Sequence, residues 1–221
     1  MTNFDTVLAE IRRAAPSEAA KGAAFERLMR AYLLHAPKYA GLIEKVWLWN
    51  NFPYRKGDTA LAGFGTGHDI GIDLVALTTT GEYWAIQCKC YDEDTYIDKP
   101  MVDSFISASN LPFDDGQLKK QHFTRRLWIS TSNRISPHAE TILDNQDPPV
   151  LRIGLENLRA DPIDWPTLYH KGTAAIPPRA PKDHQRDALD RARDHYKTHT
   201  RGKLIMACGT GKTYTSLKIA A

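Results

Sequence analysis

Long apolar runs, a secretory signal and a cysteine framework are all missing from this 221-residue sequence. No apolar stretch approaches the roughly 18 residues that a membrane-spanning helix needs. The first residues, MTNFDTVLAEIRR, lack the basic-then-apolar order of a secretory signal peptide. The cysteines number three, an odd count without framework spacing, which argues against a disulfide-rich secreted domain. These absences predict a cytoplasmic protein with no membrane partner.

A strong basic excess is also missing from most of the chain. Residues 179–221 contain 10 Lys+Arg and 4 Asp+Glu, a net charge of +6. Removing these from the totals of 29 basic and 26 acidic residues leaves 19 and 22, a net charge of −3 for residues 1–178. The larger part is therefore not a nonspecific basic DNA clamp, and any contact with nucleic acid has to be local or assisted from elsewhere.

The apolar pattern predicts an α/β core, namely a mixed β-sheet flanked by helices. Apolar positions at helical spacing predict a first helix near the N-terminus and a second helix capped by Ser17. Strands are predicted at 42–49, 72–78, 82–90, 126–132 and 149–154, and further helices at 99–109 and 137–143.

A proline-rich stretch divides the chain. Five prolines fall between residues 162 and 181, so we assign 1–160 to the first domain, 161–182 to a linker and 183–221 to the start of a second domain. Within that second domain, residues 183–198 are predicted to be helical, 203–207 (KLIMA) a strand and 212–221 a helix.

Polar residues interrupt the central strand pair, GIDLVALTTTGEYWAIQCK, at residues 71–89. A three-residue hairpin loop, with Gly81 in the left-handed conformation, would pair Thr78 with Glu82. In that register Asp73 faces Gln87, with Cβ atoms about 5 Å apart.

The loop type decides whether a third polar residue joins this pair. Lys89 lies on the same strand face as Gln87, one diagonal step from Asp73. A two-residue Thr80-Gly81 turn would instead place Asp73 opposite Cys88 and separate the three side chains. A surface ion pair is the alternative explanation for the same spacing.

If the three side chains converge, an acid, an amide oxygen and an ammonium group share one face of the sheet. The carboxylate of Asp73 and the amide oxygen of Gln87 suit a hard cation such as Mg²⁺. The ammonium of Lys89 could orient the attacking water and stabilise charge on a phosphate. Glu26, beside the apolar stripe of the second helix, is the candidate for a further metal ligand if that helix packs on the same sheet face.

Other candidates rank lower. Asp69 is the rival acid and His68 beside it could ligate metal or touch phosphate, but both fall in a Gly-rich loop before the strand. Cys88 and Cys90 form a CxC pair with no partner cluster, so core packing is the preferred interpretation over metal binding.

The segments GHDIGIDLVA and WAIQCK resemble the D…QxK variant of the PD-(D/E)xK nuclease core found in Mrr-like restriction endonucleases. KGAAFERLM resembles the first-helix motif of that family, and the resemblance covers about residues 17–155. It implies Asp73, Gln87 and Lys89 as the catalytic set and Glu26 as an auxiliary metal ligand. The glutamine replaces the commoner acid, which leaves open whether one metal ion is held or two.

Residues 204–213, LIMACGTGKT, carry the parts of a phosphate-binding loop. Met206 stands where the strict pattern requires glycine, yet the segment resembles motif I of superfamily 2 helicases, within a RecA-like domain. The resemblance implies that Gly209 and Gly211 shape the loop, that Lys212 reaches the β- and γ-phosphates and that Thr213 ligates Mg²⁺.

APKDHQRDALDRA resembles the helicase segment whose glutamine recognises adenine, which nominates Gln185. The sequence given stops eight residues after Thr213. We therefore expect this chain not to hydrolyse ATP, because the second acidic motif and the catalytic arginines are missing from it.

A nuclease followed by a superfamily 2 motor resembles the N-terminal arrangement of Type ISP restriction-modification enzymes. The resemblance implies a Mg²⁺-dependent endonuclease with little sequence specificity, acting on double-stranded DNA. It also implies ATP-driven translocation, an S-adenosylmethionine-dependent methyltransferase further along the parent chain, and transient self-association on DNA. The alternatives are another DNA-defence helicase without a methyltransferase, a nuclease that is silent without its motor, and a nuclease fold kept as a non-cleaving DNA-binding or assembly module.

Overall fold

The structure is a computed structural model that describes residues 3–55, 71–115, 120–173, 181–207 and 209–220. The chain forms two compact units, Met1–Ile176 and Pro177–Ala221. None of the helices in the described ranges is long and apolar enough to cross a membrane.

The first unit is built on a mixed five-stranded sheet. The strands are β1 (Ile43–Leu48), β2 (Leu74–Thr78), β3 (Tyr83–Lys89), β4 (Phe113–Asp114), β5 (Lys120–Gln121), β6 (Phe123–Ser130) and β7 (Val150–Ile153). The spatial order of the main sheet is β1-β2-β3-β6-β7, and β4 and β5 form a second, two-stranded sheet. The pairs β1/β2 and β2/β3 are antiparallel, whereas β3/β6 and β6/β7 are parallel. This arrangement confirms the predicted mixed sheet.

Helices cover both faces of the sheet. They are α1 (Asn3–Ala14), α2 (Glu18–His35), α3 (Lys99–Ser109), α4 (Pro137–Asp144), α5 (Leu155–Ala160) and α6 (Trp165–Lys171), with short 3₁₀ turns at Pro37–Tyr39, Trp49–Asn51 and Pro53–Arg55. One core joins α1, α2, α5 and α6 to the face carrying Trp84, Ile86 and Cys88. A second core joins α3 and α4 to the face carrying Ala85 and Trp128. We call these the α2 face and the α3 face.

The start of α2 is the predicted one. The Ser17 side chain caps the helix by accepting a hydrogen bond from the backbone N–H of Ala20 at 3.2 Å. Phe25 and Met29, one turn apart, are both fully buried. A cap followed by an apolar stripe fixes both the beginning of the helix and the side that it packs.

Helix α6 occupies part of the predicted linker. Asp164 caps it by accepting from the Thr167 N–H at 3.1 Å, and Pro166 stands in its first turn. Gly172 ends it in the left-handed conformation, φ 67°, and Trp165 is fully buried in the core of the α2 face. Pro166 therefore starts a helix that belongs to the first unit, so the predicted linker began too early.

The second unit contains α7 (Asp183–Tyr196) and α8 (Lys212–Ala220), at the two predicted helical segments. The predicted strand at 203–207 is wrong, since these residues are not in a strand and Ile205 is 83% exposed. A strand is defined by hydrogen bonds to a neighbouring strand, and the described part of this unit contains no strand with which residues 203–207 could pair.

Candidate active site

The β2–β3 hairpin has the register expected from a three-residue loop. Leu74 pairs with Ile86, and the backbone N–H of Thr78 donates to the carbonyl of Glu82 at 2.9 Å. Gly81 has φ 83°, the left-handed conformation that this loop requires. The predicted register is confirmed, and the two-residue turn is not the one formed.

The Asp73 carboxylate, immediately before β2, is held by two donors from β3. The Gln87 side chain donates through Nε2 to Asp73 Oδ2 at 3.1 Å, and the Cys88 backbone N–H donates to the same oxygen at 2.6 Å. Asp73 is half-buried, whereas Gln87 is fully buried. Two of the three predicted side chains are therefore in direct contact.

The oxygen of the Gln87 amide has the properties of a metal ligand. Its Oε1 is buried and accepts no hydrogen bond from any described residue. Leaving such an oxygen unsatisfied costs about 1–3 kcal/mol, and a hard cation is one partner that would satisfy it. Within the described ranges no three His, Cys, Asp or Glu side chains cluster tightly enough to hold a metal. The Gln87 amide oxygen is the buried acceptor that a metal ion at this position could bind.

Lys89 is the last residue of β3 and is half-exposed. It stands two residues after Gln87, so strand alternation puts both on the α3 face. Its neighbour across the parallel β3/β6 pair is Ser130. The Lys89 side chain therefore leaves the sheet at the end of β3, where a large substrate can reach its ammonium group.

Glu26 comes from the other side of the sheet. The apolar stripe of α2 packs with Ile86 and Cys88, which alternate with Gln87, so α2 covers the opposite face from the one expected. The pKa of the Cys88 thiol is raised well above its usual value, first by burial and then by the negative charges of Asp73 and Glu26. The two carboxylates thus share the neighbourhood of residue 88, although they approach it from different elements.

Tyr91 is a neighbour of the site that the sequence interpretation missed. Burial, followed by the negative charge of Asp73, raises the pKa of its phenol. Its backbone carbonyl accepts from Arg12 Nη2 at 2.7 Å and from Thr131 Oγ1 at 2.5 Å, which fixes the chain just after β3. Tyr91 follows Lys89 by two residues, as Lys89 follows Gln87, so the alternation of side chains along a strand was the signal that could have identified it.

The structure bears on two of the four remaining candidates in the first unit. Cys88 and Cys90 are buried free thiols in the core of the α2 face, in line with core packing. Asp69 and His68 lie outside the described residues.

In the second unit, Gln185 is attached to the glycine-rich loop. Its Nε2 donates to the Thr210 carbonyl at 2.8 Å, and its Oε1 accepts from the Lys182 N–H at 3.0 Å. A Cβ atom on Gly211 would lie 2.5 Å from Gln185 Nε2. The side chain predicted to contact adenine therefore supports the loop itself.

The loop residues have the expected backbone. Gly209 and Gly211 have φ 77° and 82°, so both adopt the left-handed conformation. Lys212 and Thr213, the first residues of α8, are exposed, and the Lys212 ammonium donates to the Met206 carbonyl at 3.1 Å. Their roles toward a nucleotide stay predictions.

Residues 34–175, more than half of the chain, match a family model described as restriction endonuclease. The chain belongs to this restriction endonuclease family. The matched range contains Asp73, Gln87 and Lys89 and begins after Glu26. Residues 179–221 match a second model, described as type III restriction enzyme, res subunit. The boundary between the two structural units, at residues 176 and 177, falls between the two matched ranges.

One solved structure more than 30% identical to this chain agrees with the family. The ATP-dependent Type ISP restriction-modification enzyme LlaBIII bound to DNA is 32% identical, with a TM-score of 0.57, over 99% of this chain and 12% of its own. The DNA modification-dependent restriction endonuclease AspBHI is 16% identical, with a TM-score of 0.42, over 78% of this chain and 37% of its own. The chain thus spans about an eighth of the LlaBIII length, and no curated protein matches it. The predicted likeness to Type ISP enzymes is confirmed.

Proposed function

We propose that the first unit is a Mg²⁺-dependent DNA endonuclease domain that hydrolyses phosphodiester bonds with little sequence specificity of its own. The observation that carries the proposal is the Asp73–Gln87 pair, in which one amide end binds the carboxylate and the other presents a buried, unsatisfied oxygen. Family membership supplies the substrate class, since restriction endonucleases act on DNA.

Each residue has a role in this proposal. Asp73 and Gln87 would supply oxygen ligands to the metal, and Glu26 would add charge from the α2 side. A bound Mg²⁺ would offset the negative charge of the scissile phosphate. Lys89 would donate hydrogen bonds to the phosphate oxygens and orient the attacking water, whose attack breaks the P–O bond.

The charge distribution supports a division of labour between modules. Residues 1–178 carry a net charge of −3, so their net charge does not favour nonspecific binding to DNA. In the parent protein, we propose, an ATP-driven motor delivers double-stranded DNA to it, and sequence choice comes from further segments. ATP-Mg²⁺ would bind at Gly209, Gly211, Lys212 and Thr213, and S-adenosylmethionine would serve a methyltransferase further along. Nuclease cutting would follow when two translocating copies associate on DNA.

The test is nicking of supercoiled plasmid with Mg²⁺ or Mn²⁺, comparing the unmodified chain with Asp73→Asn and Lys89→Ala. Each change should lower the rate by about 10²–10³-fold, the usual effect of losing a group that stabilises transition-state charge. Lys99→Ala is the matched control, because Lys99 is an exposed lysine whose partner is Asp103 on the surface of α3. It should leave the rate unchanged.

The outcomes separate the candidate functions. Metal-dependent nicking that both substitutions abolish supports the proposal. Nicking only by a longer protein with ATP, abolished by Lys89→Ala, supports it and adds that the motor must deliver the DNA. Nicking that survives both substitutions contradicts the assigned site. Binding of DNA without cleavage in either protein would favour a non-cleaving assembly module.

A further inference from the structure

Gln87 has a second neighbour at the site, Trp128 of β6. The two residues are partners in the parallel β3/β6 register, so their side chains leave the sheet on the same face from strands about 5 Å apart. Trp128 packs against Phe105 of α3, with ring centroids 6.1 Å apart, which identifies this as the α3 face. Trp128 is 2% exposed and Gln87 is fully buried.

Each of these neighbours carries one unsatisfied polar atom. Trp128 Nε1 is a buried donor and Gln87 Oε1 is a buried acceptor, and neither has a hydrogen-bond partner among the described residues. An indole nitrogen can only donate, and an amide oxygen can only accept. Buried polar groups are nearly always satisfied, and a buried water is the usual partner where no protein group reaches.

The two ends of the amide select the same orientation. At one end the Asp73 carboxylate needs a donor, so it favours Nε2. At the other end an indole N–H needs an acceptor, so it favours Oε1. A flipped amide would set oxygen against carboxylate and N–H against N–H.

We propose that Trp128 is a positioning residue of the nuclease site: its indole N–H, through one shared water, holds the Gln87 amide with Oε1 available to the metal. This inference rests on the proposed function in one respect, namely that Oε1 serves a metal. A single hydrogen bond at Oε1 leaves its second lone pair for that ligand. A carboxylate at position 87 would need no such help, because its two oxygens are equivalent.

The first experiment needs neither metal nor activity. In ¹⁵N-labelled, metal-free protein, the Trp128 indole N–H signal is assigned by its loss in Trp128→Phe. Gln87→Leu should shift that signal and speed its exchange with solvent roughly tenfold, as expected for the loss of one buried hydrogen bond. This variant keeps Trp128 itself, so it tests the contact even if Trp128→Phe folds poorly. An unchanged Trp128 signal would overturn the inference.

The second experiment measures Mn²⁺ affinity by calorimetry in a double-mutant cycle. Trp128→Phe should weaken binding about tenfold, the lower end of the usual effect of losing an outer hydrogen bond to a metal ligand. In a Gln87→Glu background the same change should cost less than about twofold. A purely packing role would weaken binding equally in both backgrounds, and that result would overturn the inference.

Trp84 provides the control. It too is a buried tryptophan with an unpartnered Nε1 among the described residues, but it lies on the α2 face. Trp84→Phe should leave Mn²⁺ affinity unchanged. If the protein binds no metal while Gln87→Leu still perturbs the Trp128 signal, the proposed function fails and the Trp128–Gln87 contact stands.

Discussion

Gly71 lies against the backbone of Phe105, so closely that a Cβ atom on Gly71 would be 2.6 Å from the Phe105 nitrogen. Its φ of +85° is also one that only glycine adopts readily. Two residues later the chain reaches Asp73, so this contact fixes the backbone just before the catalytic candidate. We expect Gly71→Ala to destabilise the first unit by more than about 3 kcal/mol and to abolish nicking.

Gly41→Ala is the control for that change, measured by the same chemical denaturation. Gly41 has a similar φ of +75°, but no heavy atom would lie within 4 Å of its added Cβ. It should therefore lose only the cost of the left-handed conformation, about 1–2 kcal/mol. Equal losses in both variants would show that the close contact with α3 is unimportant.

Arg126 is a fully buried cation, and its described hydrogen-bond partners are oxygen acceptors at the end of α3 and just before β7. It donates to the carbonyls of Pro148 and Ser109 and, at 2.6 Å, to Asn110 Oδ1. Arg126→Met would leave these acceptors without their donor, so we expect a loss of about 2–4 kcal/mol in the free energy of unfolding.

The adjacent Arg125 offers a matched comparison, since it is exposed and stacks its guanidinium on the Trp84 ring with 5.4 Å to the centroid. Arg125→Met should cost no more than about 1 kcal/mol. A larger loss for Arg125 than for Arg126 would contradict the role assigned to the buried residue.

Asp98 should make the stability of the fold around α3 depend on pH. Its carboxylate caps the helix, accepting from the Lys99 N–H at 2.8 Å and from Ser136 Oγ at 2.9 Å, and these bonds lower its pKa, the backbone bond most. A carboxylate whose pKa is lowered in the folded state stabilises the fold at pH values above the ordinary aspartate pKa of about 3.9. That contribution is lost as pH falls through the lowered value.

Asp98→Asn should therefore reduce stability at pH 7 and flatten its decline below about pH 4. Urea denaturation at a series of pH values measures both effects. An acid-induced decline of the same steepness in both proteins would rule out the Asp98 cap as its source.

Gln185 should rigidify the glycine-rich loop, because it is 3% exposed and bonded to the Thr210 carbonyl. We expect Gln185→Ala to speed amide hydrogen exchange at Thr215, whose N–H donates to the Gly211 carbonyl, by about tenfold. His184→Ala is the comparison, since exposed His184 contacts the same Thr210 carbonyl at 3.1 Å and should have a smaller effect. Equal increases in exchange in the two variants would mean that the burial of Gln185 does not contribute to the rigidity of the loop.

Local features were the ones that the sequence predicted well. The Ser17 cap, the stripe of α2 and the Gly81 loop each depend on residues within a few positions, so their physical chemistry can be read along the chain. The loop is the most informative case, since fixing it also fixed which residue faces Asp73. Helix α6 has local signals too, a capping Asp164 and a terminal Gly172, but Pro166 in its first turn is equally typical of a linker.

The sequence by itself determined the strand pair, the two registers open to it and the family to which its polar residues point. Only the tertiary structure decided that α2 covers the face away from Gln87, that Gly71 touches α3, and that Trp128 is the neighbour of Gln87 on β6. The reason is physical. A hairpin is closed by its own turn, whereas the choice of sheet face and of parallel neighbour depends on packing between segments that are distant in sequence.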